Sequence, residues 1–70
     1  MNYKPLYKNL GEKIEWIRKE KGVTQEELAE KAGLHRAYFW EIEKGRNISI
    51  KTAYNIAHAL GVKLSQLFDF

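Results

Sequence analysis

The stretch Thr24–Gly45, TQEELAEKAGLHRAYFWEIEKG, decides how the whole chain is read. Thr24 is a strong helix N-cap, and Glu27 three residues on completes a capping box, in which two otherwise unpaired backbone donors are satisfied reciprocally. Leu28, Ala29 and Ala32 then fall on one helical face. Gly33 stands where a short helix should stop, because glycine enters the left-handed backbone region without steric cost. After a tight turn, Phe39 and Ile42 form the inward pair of a second helix running from Arg36 to Lys44. Arg36, Ala37, Trp40, Glu41 and Lys44 are left facing outward. Ala29 and Gly33 are small, so the two helices are expected to approach closely at a steep angle.

Working outward, Leu6, Leu10, Ile14 and Ile17 recur at the spacing of an amphipathic helix that ends near Lys21, with Gly22 as its stop. Pro5 suits its start, where a missing backbone donor does no harm. Trp16 lies off the stripe. A fourth helix is expected over Ile50–Leu60, with Ser49 as N-cap, Ala53, Ile56, Ala57 and Leu60 inward, and Gly61 as its stop. Lys63–Phe68 has room for a short fifth helix only. With no strand-like alternation, repeat or low-complexity linker, the fold class is all-α, a compact five-helix domain.

Seventy residues make one domain, 1–70, because so short a chain buries only about 60% of its unfolded surface and has no room for a second core. No effector-binding domain, and hence no small-molecule effector, is expected. A hydrophobic content of 44% with 13% aromatics excludes a disordered chain. No apolar run approaches the roughly 18 residues of a membrane span. The chain has no Cys, in keeping with a reducing compartment, and Met1–Lys8 lacks the apolar core of a signal peptide, so the expected location is cytoplasmic. The net charge is +3, and its basic excess lies in residues 1–22 and 35–52, bracketing an acidic 23–34.

Two short helices joined by a tight turn, the second with a polar and aromatic outer face, form the layout of a helix-turn-helix DNA reader. The run Ile14–Phe68 resembles the Cro/repressor-type, or xenobiotic response element, helix-turn-helix family. Ile17-Arg18, Thr24–Ala29, the Gly33-Leu34 turn, Ile42–Gly45 and Ile56–Val62 carry the resemblance. Tyr38 together with Glu43–Ile50 is similar to the controller proteins of restriction-modification systems. The resemblance implies a domain of the phage-repressor DNA-binding type that regulates transcription as a homodimer on a double-stranded DNA operator. It further implies a salt bridge between Arg18 and Glu43, each of which stands beside an inward stripe where an unpaired charge is costly.

A recognition helix places its first turns in the major groove, which makes His35, Arg36, Ala37, Trp40 and Glu41 the base-reading candidates. Arg36 can donate two parallel hydrogen bonds to guanine O6 and N7; Ala37 suits a thymine methyl or serves as a helix-favouring filler. Glu41 can accept from a cytosine amino group, orient Arg36 or pair with Lys44. Trp40 departs from the family pattern of a small or polar residue, and an indole there either meets DNA or folds back onto the protein. By resemblance Gln25, at the first turn of its helix, meets a phosphate. Lys44, Arg46, Asn47 and Lys51 follow the backbone beyond the groove, and Tyr38 adds a hydroxyl.

One such module buries little surface, so a two-fold dimer on half-sites about one helical turn apart is expected. The C-terminal region 54–70 supplies the interface candidates Tyr54, Val62, Leu64, Leu67, Phe68 and Phe70, of which Leu67 is the one most suited to closing the core instead. Catalysis has little support: His35 and His58 show no ligand pattern, and no cofactor or metal is expected. The alternative is an antitoxin or adaptor module whose apolar patch grips a different protein.

Overall fold

Local chemistry sets each helix boundary in the computed structural model, which describes residues 2–70. Pro5 sits in the first turn of α1 (Lys4–Glu20), which ends on Lys21 and Gly22. Thr24 opens α2 (Gln25–Ala32) through the full capping box: the Glu27 N–H donates to Thr24 Oγ1 at 3.1 Å, and the Thr24 N–H donates to Glu27 Oε1 at 2.9 Å. Hydrogen bonding to the Glu27 carboxylate, from the Thr24 N–H first and the Thr24 hydroxyl second, holds that carboxyl below its ordinary pKa. The cap of α3 (Arg36–Glu43) is His35, whose Nδ1 accepts the Ala37 N–H at 3.3 Å. Ser49 Oγ accepts the Thr52 N–H at 3.1 Å to start α4 (Ile50–Leu60). A single turn, α5 (Leu64–Leu67), completes an all-α fold with no strand among the described residues.

The core is built from one stripe per helix. Ile14, Leu28, Phe39, Ile56 and Leu67 are each fully excluded from water, and they come from all five elements in chain order. Burial of side chains this size stabilises by roughly 1.5–3 kcal/mol apiece. Leu67 therefore belongs to the core and not to a dimer surface. Leu6 departs from expectation in the other direction, at 39% exposed, because the first turn of α1 runs past the end of the core.

Gly33 turns the chain between α2 and α3 with φ 71° and ψ 31°. A Cβ built there would meet nothing within 4 Å, so Gly33 serves the turn geometry alone, not the close approach of the two helices. The tightest backbone approach at a glycine lies elsewhere. Gly11, in the middle of α1, is buried, and a Cβ on it would lie 2.5 Å from the Ile42 carbonyl oxygen and 2.8 Å from that of Glu43. The backbone of α1 thus lies directly against the C-terminal end of α3 and sets where that helix points.

Candidate nucleic-acid interface

A buried ionic knot holds α2 and α3 in register. Arg18 donates from Nε to Glu43 Oε2 at 2.7 Å, from Nη2 to Glu43 Oε1 at 3.2 Å, and from Nη1 to the Val23 carbonyl at 2.9 Å. The two residues are 8% and 7% exposed, and the bidentate fork matches guanidinium to carboxylate geometry. The Gln25 side-chain amide donates to Glu43 Oε1 at 2.8 Å. The Glu43 carboxylate thereby ties α1 and the start of α2 to the end of α3, and Arg18 adds the α1–α2 turn. Among the described residues no buried side-chain nitrogen or oxygen lacks a hydrogen-bond partner. The pairing implied by the family resemblance is present; the Gln25 contact to Glu43 is an addition to it, and one that fixes the orientation of the amide.

The outer face of the two helices gathers most of the expected readers. Gln25, His35, Arg36, Ala37 and Trp40 line one open cleft of about 320 Å³. His35 caps α3 through Nδ1, a role its position in the sequence did not disclose. Trp40 is 48% exposed, so the indole stays outside the core, with Lys44 Nζ 5.2 Å from its ring centroid.

Beyond the end of α3, a second, polar depression of about 380 Å³ is lined by Tyr38, Arg46, Asn47, Ile48 and Ser49 with Tyr7 of α1. Arg46 lies over the Tyr38 ring at 4.8 Å and donates from Nη1 to Glu41 Oε1 at 2.6 Å. Glu41 therefore pairs with Arg46, and neither orients Arg36 nor binds Lys44. Its length and the turn after α3 bring Arg46 back over the helix, whereas Lys44 turns to Trp40. Arg36 is instead paired with Glu26 of α2. Lys51 is exposed and lines neither cleft.

A separate apolar face lies at the ends of α1 and α4 and the C-terminus. Tyr54, Phe68 and Phe70 are exposed there, joined by Leu6 and by Ile50, which is 66% exposed. Leu6, Ile50 and Phe68 line a shared apolar depression with Leu10 and Ala53. Val62 and Leu64 are half-buried and packed on the core.

Residues 14–67 match the family model described as helix-turn-helix. The chain belongs to the helix-turn-helix family. This helix-turn-helix protein is 46% identical over 59 residues to the immunity repressor protein of Bacillus phage phi105, a match that spans 83% of this chain but only 41% of the repressor. Its fold is similar to the crystal structure of the restriction-modification controller protein C.AhdI from Aeromonas hydrophila, with a TM-score of 0.86, 35% identity, and coverage of 89% of this chain and 96% of that one. It is also similar to SinR, an HTH-type transcriptional regulator of Bacillus subtilis. SinR has been solved in complex with DNA, with a TM-score of 0.79, 39% identity, and coverage of 86% and 98%. Among the described residues no helix is long and apolar enough to cross a membrane.

Proposed function

We propose that this protein is a sequence-specific double-stranded DNA-binding transcriptional regulator that acts as a homodimer, α3 of each protomer entering the major groove of one half-site. The observation that carries this reading is the single outward cleft in which Gln25, His35, Arg36, Ala37 and Trp40 converge. None of these five side chains belongs to the core. In this arrangement Arg36 reads guanine and Ala37 and Trp40 offer apolar surface to thymine methyls. Gln25, Tyr38, Lys44, Arg46, Asn47 and Lys51 hold the phosphates on either side. The exposed Tyr54, Phe68 and Phe70, with Ile50 and Leu6, support self-association through this apolar surface.

Selection of duplexes from a random pool tests the reading directly. A palindromic product is expected, bound with a steep salt dependence. Arg36→Ala should lower affinity for that product by roughly 5- to 150-fold, the range of one bidentate base contact. Sedimentation at micromolar protein checks the dimer, which Phe68→Asp should weaken. Absence of any enriched sequence, together with a flat salt response, would overturn DNA reading and favour the adaptor function.

A further inference from the structure

Three donors on the proposed reading face are already held by carboxylates of the same chain. Gln25 donates to Glu43, Arg46 to Glu41, and Arg36 to Glu26. The first two carboxylates sit on α3 itself, but Glu26 sits in the first turn of α2 and reaches across the turn to the first residue of α3. Both partners of that pair are open to solvent, Arg36 at 66% and Glu26 at 65% side-chain exposure, so a duplex can reach them. Neither makes any other side-chain hydrogen bond or ion pair among the described residues. Among the described residues Glu26 therefore has no side-chain partner except the residue assigned to guanine.

We propose that Glu26 is a specificity-determining positioning residue, which keeps Arg36 a reader of bases and prevents it from acting as a general phosphate clamp. The inference rests on the DNA-reading function above. A lone guanidinium at a groove edge takes any phosphate within reach, and such contacts carry no sequence information. With a carboxylate on one of its edges, the guanidinium presents a neutralised, oriented group whose remaining N–H donors suit the paired acceptors O6 and N7 of guanine. A phosphate that competes for the same donors must displace Glu26 and sit beside its charge. Glu26 thus weakens binding to arbitrary duplexes more than binding to the selected one, which is discrimination by disfavouring the wrong partner.

The test uses the full chain, the duplex enriched by the wild-type protein, and a scrambled duplex of equal length over a salt series. Glu26→Gln should raise affinity for the scrambled duplex by about two- to five-fold, the range of an exposed ion pair. The steepness of its salt dependence should grow by about one phosphate contact. The ratio of selected to scrambled binding should fall, by up to the same factor. Glu30→Gln makes the same charge change on an exposed residue of α2 that forms no ion pair among the described residues, and should leave the ratio unchanged. In an Arg36→Ala background, Glu26→Gln should no longer move the ratio. Equal effects of Glu26→Gln and Glu30→Gln, persistence of the effect without Arg36, or an unchanged ratio would each overturn the role of Glu26. If Arg36→Ala itself leaves the wild-type ratio intact, guanine reading fails, and the role of Glu26 fails with it by a separate and recognisable result.

Discussion

Guanidinium meets carboxylate in two settings in this molecule, and the contrast separates scaffold from surface. Arg18 and Glu43 are shut away between α1 and α3, bidentate, and supported by Val23 and Gln25. Arg36–Glu26 and Arg46–Glu41 have the same chemistry but lie open to water. Burial decides what each can do. In the interior, desolvation makes a single partner intolerable and turns the pair into a geometric constraint. At the surface, water and salt screen the attraction, so the pair adds little stability and its donors remain available to a ligand.

Breaking the buried pair should give the largest effect. Arg18→Ala or Glu43→Ala should each cost roughly 3–5 kcal/mol by leaving the other charge uncompensated, a large fraction of the total stability of a small domain. Urea unfolding measures the loss. The double replacement Arg18→Met/Glu43→Leu should be milder than either single change, and if it is worse, the pair has a stabilising value beyond its satisfied geometry.

Next in size, Gly11→Ala should destabilise by about 1–3 kcal/mol, even though alanine is the better helix former, because its methyl would press on the Ile42 and Glu43 carbonyls. A smaller loss, about 1 kcal/mol, is expected from Thr24→Ala, which removes the side-chain half of the α2 cap. The Glu27 carboxyl titrates lower in the folded protein than in the unfolded chain. Its contribution is present above the unfolded pKa and is lost as the pH falls through the lowered folded one. Glu27→Gln should therefore lower the melting temperature slightly at neutral pH, leave it little changed at low pH, and so flatten the acid limb of the profile. Smallest of all for stability, Glu41→Gln and Arg46→Ala should shift unfolding by no more than about 1 kcal/mol, yet Arg46→Ala should visibly weaken DNA binding. A stability loss there as large as that of Arg18→Ala would erase the distinction between the two settings.

The same contrast explains how much was legible in the chain of letters. Helix limits were, because caps and stop glycines are local: Thr24 with Glu27, Ser49, Gly33 and Gly61 set α2 and α4 to the residue. The inward stripe was legible too, except at Leu6, where periodicity continues beyond the core it serves. Arg18 and Glu43 are 25 residues apart, and only family resemblance joined them. The surface pairs were invisible, since Glu26 finds Arg36 only after the turn at Gly33 has laid one helix start beside the other. Gly11 was invisible for a different reason: a small residue inside a helix has no sequence mark that tells what lies against it.

The recognition helix divides its eight residues with little overlap between duties. Phe39, Ile42 and Glu43 are buried and bear the fold, while Arg36, Ala37 and Trp40 are exposed and hold no part of it in place. A new outer triplet grafted onto the same inner one should redirect the protein to another operator at almost no cost in folding. That separation leaves the outer face free to vary without disturbing the core, and the exposed Trp40 shows that the scaffold accommodates even an indole there.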